Sequence, residues 1–232
     1  MSVVYIISAP SGSGKSTLVN ELRKLVPSLD FSISYTTRKP RGSEQNGREY
    51  NFVPRAQFDG MVREDEFLEH AEVFGNCYGT AKKFLAEAQA ANHDLVLDID
   101  VQGAAQIKRK LPYAVTIFIL PPDRKTLEWR LRNRGQDANP DIDRRLATAK
   151  REIENYDKYD YILVNDRLEK SVDALKAVVL AERSRRSGTT PSGEDSRNMG
   201  MAERSRLANM RDQIQRILDS FREGNSDSAS GV

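Results

Sequence analysis

The stretch APSGSGKST, residues 9–17, has the residue types and spacing of a phosphate-binding loop. Gly12 and Gly14 would let the backbone approach phosphate oxygens, and successive N–H groups before a helix would form a nest for an anion. Lys15 would reach the β- and γ-phosphates of a nucleotide, and Ser16 would offer its hydroxyl to Mg²⁺. The stretch therefore predicts a binding site for a nucleoside triphosphate.

Ala9 is the one departure from the pattern G-x-x-x-x-G-K-[ST], because it stands where the first glycine is usual. Alanine costs little where φ is negative, so we expect the loop to tolerate it. The alternative interpretation is an ordinary helix N-terminus with one exposed lysine, which explains GKST after a strand poorly. A phosphate loop alone does not separate a GTPase, a motor ATPase and a kinase.

Residues 32–52, SISYTTRKPRGSEQNGREYNF, hold a second set of candidate phosphate ligands. Arg38 and Arg41 lie three apart and next to tyrosines, which suits a second phosphate group. The alternative is a solvated, charged loop with packing tyrosines. The stretch EFLEHAEVFGNCYGT, residues 66–80, adds further polar candidates: Glu69, Tyr78 and Thr80.

Apolar segments that alternate with helical periodicity must position these loops. Four apolar runs predict strands, at 3–8, 94–100, 114–122 and 159–166. Helical patterns cover 15–26, 81–91, 101–110, 123–134, 141–156 and 168–184. The alternation indicates an α/β fold, with a mostly parallel sheet and helices on both faces.

Other segments interrupt this rhythm. Residues 31–80 resemble short strands and loops inserted into the core, and residues 124–150 form an arginine-rich, charged segment. Polar Gly/Ser-rich sequence predicts a flexible linker over 187–201. An apolar stripe predicts a C-terminal amphipathic helix over 202–222, which covers its own core or pairs with another chain. We expect disorder over 223–232.

The bulk composition excludes several classes. The 232 residues are 38% hydrophobic and 30% charged, with a net charge of +2, so charge gives no support for nucleic-acid binding. One cysteine rules out an intrachain disulfide or zinc cluster and favours a cytoplasmic location. The apolar opening SVVYIIS is too short for a signal peptide or a membrane span, so we expect no membrane partner.

Over roughly residues 3–183 the chain resembles the guanylate kinases. Besides the phosphate loop, the resemblance rests on SYTTRKPRGSEQNGREYNF, FLEHAEVFGNCYGT, LDIDVQGA, IFILPP, RLRNRG and VND. It implies a P-loop core of the nucleoside-monophosphate-kinase type with a parallel sheet, within a domain spanning 1–186. The implied parts are a core of 1–32, 93–123 and 151–186, a GMP-binding insert of 33–92, and a lid of 124–150.

The resemblance also implies roles for individual residues. It places ATP at Ala9, Pro10, Ser11, Gly12, Ser13, Gly14, Lys15, Ser16 and Thr17, with Asn165 at the adenine. It places the GMP phosphate at Arg38, Arg41, Tyr50 and Tyr78, and the guanine at Ser34, Glu69, Thr80 and Asp98. The implied catalytic groups are Lys15, Asp100, Arg134 and Arg145, and the implied metal ligands are Ser16 and Asp100.

The chemistry of guanine explains these residue types. Guanine presents N1–H and N2–H₂ donors, which a carboxylate such as Glu69 accepts, and an O6 acceptor, which Ser34 or Thr80 can satisfy. Adenine would leave the buried carboxylate unpaired, which is costly. Taken alone, Glu69 could be a surface acid on a short helix, an interpretation that its neighbours disfavour.

The acids after the second apolar run and the arginines near residue 134 also have plainer interpretations. An acid at the end of a strand can simply cap the next helix, although ligands in open α/β sheets bind at that end. Asp98 and Asp100 are two apart and would share one face of a straight strand. The arginines could form a solvated basic face; we assign Arg134 and Arg145 to the transferred phosphoryl group and leave Arg130 and Arg144 unassigned.

These residues predict direct in-line phosphoryl transfer from Mg-ATP to GMP or dGMP, with no general base. A protein-binding module that has lost activity is the rival from another class, but Lys15, Ser16 and both lid arginines are present. Another small-molecule phosphotransferase is the nearer rival, and the guanine-binding side chains disfavour it.

Ser43 stands where the family commonly has glycine, and this departure from the family pattern removes no charged ligand. Self-association is possible through the C-terminal helix.

Overall fold

A computed structural model describes residues 2–73, 75–133, 139–188 and 192–223. Its strands are β1 (Val4–Ser8), β2 (Leu29–Phe31), β3 (Tyr35–Thr36), β4 (Asn51–Phe52), β5 (Phe67–Val73), β6 (Asn76–Ala81), β7 (Asp94–Asp98), β8 (Val115–Leu120) and β9 (Tyr161–Val164). Its helices are α1 (Lys15–Leu25), α2 (Arg55–Arg63), α3 (Lys82–Ala91), α4 (Val101–Lys110), α5 (Arg124–Asn133), α6 (Asn139–Ile153), α7 (Leu168–Ser187), α8 (Glu194–Arg204) and α9 (Arg211–Glu223). Short 3₁₀ helices cover Tyr156–Lys158 and Leu207–Asn209.

The expected α/β architecture is confirmed. Five strands form one sheet in the order β2-β7-β1-β8-β9, in which β2 pairs with β7 and β8 with β9 in parallel. Every residue of β1 and β8 is buried. Continuous apolar strands of this kind are typical of parallel sheets that helices cover on both faces.

The chain divides into two compact units, and the first comprises Met1–Ile6 and Pro27–Val115. This unit holds a smaller four-stranded sheet in the order β4-β3-β6-β5. The β5–β6 hairpin is antiparallel and sets Glu69 opposite Thr80. A small apolar cluster anchors this sheet: Phe58, Phe67, Cys77 and Ala81.

The second unit comprises Ile7–Val26 and Thr116–Val232. Helix α1 buries Leu18, Val19 and Leu22 and packs against α7. Helix α5 begins with two side-chain caps, since Asp123 Oδ1 accepts from Thr126 N at 2.6 Å and Ser220 Oγ accepts from Arg124 N at 3.0 Å. The second cap comes from α9, which also packs against α6.

The C-terminal part differs from the expectation of a linker over 187–201. Residues 194–204 form α8, whose first turn carries Glu194 and Asp195, as a helix N-terminus favours. Asn198 and Ala202, four apart, are buried, and α8 packs along α7. The Gly/Ser content of this segment concealed a short amphipathic helix. Part of the predicted linker, 189–191, and residues 224–232 of the predicted tail lie outside the described residues.

The single helix expected over 202–222 is also interrupted. Helix α8 ends at Arg204, and Arg206 has extended backbone, with φ −60° and ψ 140°. Residues beside it pair with β9, since Ile162 N donates to Ser205 O at 2.8 Å and Leu207 N to Asp160 O at 3.2 Å. A continuous helix would use these backbone N–H and C=O groups internally. The helix therefore ends here, and the next α-helix is α9.

Candidate active site

The phosphate loop leads from β1 into α1 through a tight turn. Ser13 N donates to Pro10 O at 3.1 Å, and Gly14 is the residue before the helix, with φ +89°. That left-handed conformation favours glycine. The first-turn N–H groups of α1, from Lys15 onward, lie at the positive end of the helix dipole, where anions bind.

Gly12 is required by the packing beneath the loop as well as by its conformation. Its φ is +93°, and a Cβ there would lie 2.9 Å from Leu127 Cδ1 and from Leu131 Cδ2. Both leucines belong to α5 and are fully buried. The loop therefore rests directly on α5, and a larger residue at this position would lift it.

Ala9 and Ser43 fit their positions. Among the described residues other than glycine, positive φ occurs only at Ser28, Asp65 and Asn92, so neither residue is strained in this way. Gly42, next to Ser43, takes the left-handed conformation instead, with φ +53°. Ala9 is buried at the end of the first strand.

Two groups outside the loop bind its backbone. Asn165, at the end of β9, donates from Nδ2 to Ser13 O at 2.8 Å. Arg130 of α5 donates from Nη2 to Asn165 O at 2.9 Å, and from Nη1 to Ser13 O at 3.4 Å. The sequence left Arg130 unassigned, although its place in the arginine-rich segment 124–150 was a usable signal.

Of the two arginines predicted for the lid, the structure describes Arg145 and not Arg134. Arg134 lies outside the described residues. Arg145 is partly buried in α6, between the buried residues Ile142 and Leu146. Their predicted role at the transferred phosphoryl group stays a prediction.

Arg38 is fixed in the first unit by Glu44. The guanidinium donates to both carboxylate oxygens, at 2.9 and 3.0 Å, and to Lys39 O at 2.7 Å. It also lies over the Tyr50 ring, 5.3 Å from the centroid. Burial opposes the charge, but Glu44 and Tyr78 together raise the pKa of Arg38 above its ordinary value. Arg38 is therefore a rigidly held cation.

Glu44 also organises the turn that carries Arg41. Its Oε2 accepts from the backbone N of Arg41 at 2.7 Å. Burial alone would raise the pKa of Glu44, but the bonds from Arg38 and Arg41 lower it. Close by, the rings of Tyr50 and Tyr78 meet edge to face at 5.8 Å. Sequence reasoning missed Glu44, although an acid three residues after Arg41 in a Gly-containing turn was a usable signal.

Glu69 is a nearly buried carboxyl group, with 4% of the residue exposed. Thr80 Oγ1 donates to its Oε1 at 2.7 Å across the β5–β6 hairpin. Burial raises the pKa of Glu69 to about 7, and Asp100 adds to the rise, while the bonds from Thr80 and the charge of Lys110 lower it. Ser34 is buried in the same unit. A buried carboxylate would suit a ligand with paired N–H donors, because its two oxygens can accept several hydrogen bonds.

Gly103 makes room for this carboxyl group. A Cβ at Gly103 would lie 2.6 Å from Glu69 Oε2 and 3.0 Å from its Cδ. The same glycine donates its N–H to Asp100 Oδ1 at 2.8 Å, which makes Asp100 the N-cap of α4. The sequence resemblance included Gly103 within LDIDVQGA but assigned it no role.

Asp98 and Asp100 lie at and just after the carboxyl end of β7, and both are partly buried. The capping interpretation of Asp100 thus holds, and it does not exclude a second role because a carboxylate has two oxygens. Asp100 and the Ser16 hydroxyl offer hard oxygen donors, which fit Mg²⁺. Within the described ranges, no three His, Cys, Asp or Glu side chains group as metal ligands. No helix among the described residues is long and apolar enough to cross a membrane.

Comparisons with known proteins agree on one family. A family model described as guanylate kinase matches residues 1–182. A guanylate kinase of Koribacter versatilis is 63% identical over 223 residues, covering 95% of this chain and 96% of that protein. A guanylate kinase of Escherichia coli strain K12 is 48% identical over 186 residues, covering 79% and 90%. The crystal structure of guanylate kinase from Anaplasma phagocytophilum is 34% identical, with a TM-score of 0.65, and the match covers 78% and 86%.

Proposed function

The chain belongs to the guanylate kinase family, and from that premise we propose how its residues share the reaction. It transfers the γ-phosphoryl group of ATP to GMP, which gives ADP and GDP. The observation that carries the proposal is the buried Glu69–Thr80 pair, because a phosphate loop alone selects no acceptor.

The phosphate loop, residues 9–17, holds the triphosphate of ATP. Its backbone N–H groups and the N-terminus of α1 receive the β- and γ-phosphates, and Lys15 neutralises the charge that grows on the bridging and terminal oxygens. The left-handed conformations of Gly12 and Gly14 support this role, since they let the loop turn tightly into the start of α1.

The acceptor phosphate of GMP binds at Arg38 and Arg41, with the hydroxyls of Tyr50 and Tyr78. Glu44 fixes the guanidinium of Arg38 and the backbone of Arg41, so that little side-chain freedom is lost when the phosphate arrives. A phosphate dianion can share the donors of Arg38 with Glu44, because a guanidinium carries five N–H groups.

Guanine is selected by Glu69, Ser34, Thr80 and Asp98. The carboxylate of Glu69 accepts from N1–H and N2–H₂. The Ser34 hydroxyl donates to O6, since the one O–H of Thr80 already donates to Glu69. Adenine offers an acceptor at N1, so it would leave a buried acid unpaired at a cost of about 1–3 kcal/mol or more. The same contacts admit dGMP, since none of them involves the ribose.

Transfer is direct and in line. A phosphate oxygen of GMP attacks the γ-phosphorus of ATP as the bond to the β–γ bridging oxygen breaks, and ADP leaves with that electron pair. The attacking oxygen is already largely ionised at neutral pH, so no general base is required. The rate comes from positioning and from charge neutralisation by Lys15, Arg134 and Arg145.

Ser16 and Asp100 would hold Mg²⁺ together with the phosphates of ATP. The ion supplies charge neutralisation and geometry at the phosphate oxygens when it is bound. The chain contributes a hydroxyl at the start of α1 and a carboxylate that Gly103 N already orients. Both are donor types that Mg²⁺ accepts while keeping several waters.

Label transfer separates this enzyme from a binding module of the same build. The full chain is mixed with γ-³²P-labelled Mg-ATP and GMP, and the products are separated by chromatography. We expect the label in GDP, with none on the protein and little in free phosphate. GMP binding without labelled GDP would contradict the proposal and would favour a protein-binding role.

The remaining partners follow from composition and packing. One cysteine and the absence of any membrane-spanning helix among the described residues support a cytoplasmic enzyme of guanine nucleotide metabolism and salvage. Self-association has less support, because the apolar side chains Ile214, Ile217 and Phe221 of α9 are buried within one chain.

A further inference from the structure

Asn165 lies at the end of β9, and its side chain is turned toward the phosphate loop. Only 6% of the residue is exposed. Its Nδ2 donates to Ser13 O at 2.8 Å, in the middle of the loop. The resemblance assigns Asn165 to the adenine of ATP, but this amide nitrogen is already engaged with the backbone that holds the phosphates.

Gly14 shows how closely the amide supports the loop. A Cβ at Gly14 would lie 2.4 Å from Asn165 Nδ2 and 3.7 Å from its Cγ. Asn165 therefore contacts the loop at two successive residues, through a hydrogen bond to Ser13 and through van der Waals contact with Gly14. Gly14 immediately precedes Lys15 and the first-turn N–H groups of α1.

The backbone of Asn165 is held just as firmly. Its N–H donates to Leu120 O at 2.8 Å, at the end of β8. Its carbonyl accepts from Arg130 Nη2 at 2.9 Å, and the other terminal nitrogen of Arg130 lies 3.4 Å from Ser13 O. A rigid strand end and an α5 side chain thus fix the amide that supports the loop.

We propose that Asn165 is a positioning residue for the triphosphate, and that it acts through the Ser13 carbonyl. The amide holds the loop in the conformation that aims its N–H groups at the phosphates before ATP binds. Preorganised donors contribute more to binding than donors that must first be ordered. This inference rests on the proposed function, since it assumes that the loop receives a triphosphate.

A probe without a base tests the inference. Isothermal titration of the full chain with Mg-ATP, and separately with magnesium tripolyphosphate, gives two dissociation constants for wild type and for Asn165→Ala. We expect the substitution to weaken both ligands by the same factor, about three- to tenfold, as loss of one hydrogen bond implies. The preference for ATP over GTP as phosphoryl donor should not change.

Three results would overturn the inference. They are weaker ATP binding with unchanged tripolyphosphate binding, no change for either ligand, and a wild-type chain that binds ATP but not tripolyphosphate. Asn165→Ser serves as a second variant in case the alanine variant does not fold, because its hydroxyl is too short to reach Ser13 O.

Asn155→Ala is the matched control, since its Nδ2 also donates to a backbone carbonyl, Arg151 O at 2.9 Å, on an exposed surface. It should leave both dissociation constants unchanged. Because binding requires no turnover, the experiment is independent of the label-transfer assay. A chain that binds both ligands in the expected way but makes no GDP would refute the proposed function and leave the role of Asn165 intact.

Discussion

Glu69 is an ionisable carboxyl group in a buried position, and burial opposes its ionisation. It is an acid, yet it lies in surroundings that disfavour its charge, and burial raises its pKa to about 7. Thr80 stabilises the charged form through a hydrogen bond, while Gly103 lacks the Cβ that would collide with the other oxygen. A ligand with two N–H donors would supply hydrogen bonds that water gives to an exposed carboxylate.

GMP binding should therefore depend on the protonation of Glu69. Below about pH 7 the carboxyl group is protonated and no longer accepts both donors of guanine. We expect the dissociation constant of GMP to rise as the pH falls from 8 to 5.5, approaching about tenfold per pH unit. Titration calorimetry at several pH values measures this dependence.

Glu69→Gln is the control, because an amide has no proton to lose in this range. Its profile should retain only the titration of the GMP phosphate. Parallel profiles for the wild type and the variant would show that Glu69 does not contact guanine.

The raised pKa of Glu69 makes the stability of the folded chain depend on pH. The folded pKa lies above the ordinary value of 4.5, so between about pH 4.5 and 7 the folded chain binds more protons than the unfolded chain. The contribution of Glu69 to the free energy of unfolding is therefore complete below pH 4.5 and is lost as the pH rises through 7. Glu69→Gln should become relatively more stable than wild type across that interval in urea titrations.

Lys15 begins α1 and should act mainly in the transition state. Lys15→Ala should lower kcat by about 10²–10³-fold, as loss of a preorganised charge at a reacting phosphate does. Lys24→Ala is the matched control on the same helix. Lys24 is exposed, and its surface ion pair with Glu21 contributes little to stability. Steady-state kinetics with near-normal turnover of Lys15→Ala would contradict the role.

A prediction for a single residue from sequence rests on its residue type. It does not identify the residues that hydrogen-bond to it or pack against it in the fold. Arg38 is predicted as a phosphate ligand, but its bidentate bond to Glu44 requires a turn whose geometry the sequence does not state. Gly103 is a similar case, since its importance arises from Glu69, 34 positions away in the chain. For Asn165 the resemblance supplies a place at the adenine, but no sequence pattern indicates its hydrogen bond to Ser13, 152 positions away.

At the scale of elements, strands and long helices follow from apolar periodicity, while the C-terminal helices do not. The predicted helix over 101–110 is α4, and the predicted run over 114–122 contains β8. The break at Arg206 has no local signal, because it is set by backbone pairing with β9. Helix α8 was concealed by Gly and Ser in a segment whose stability comes from packing on α7.

Helix α9 should contribute measurably to stability through its apolar face. Phe221 is 3% exposed, and α9 packs against α5 and α6. Phe221→Ala should lower the free energy of unfolding by about 3 kcal/mol, the lower end for a buried aromatic. Arg216→Ala, exposed on the same helix, is the control, and thermal unfolding compares the two. Equal Tm values would show that α9 is not docked as described.

For the whole molecule, the order of strands and helices could be predicted from sequence. The core, insert and lid stay predictions, and the two compact units are a separate description, in which one boundary falls between Ile6 and Ile7 within β1. Such a division depends on contacts between distant segments, which periodicity does not report. The family match ends at residue 182, so the packing of α8 and α9 has to be learned from the structure.

Acceptor selectivity shows whether the buried Glu69–Thr80 pair selects guanine. ADP release from Mg-ATP is followed with GMP, dGMP, AMP, CMP and UMP as acceptors, and kcat/KM is compared among them. We predict turnover confined to GMP and dGMP. The kcat/KM for AMP should be lower than that for GMP by at least about a hundredfold, because a buried acceptor that pairs with the N–H donors of one ligand strongly rejects a ligand that lacks them. Comparable kcat/KM for AMP and GMP would contradict the account, because the buried Glu69–Thr80 pair would then not select the base.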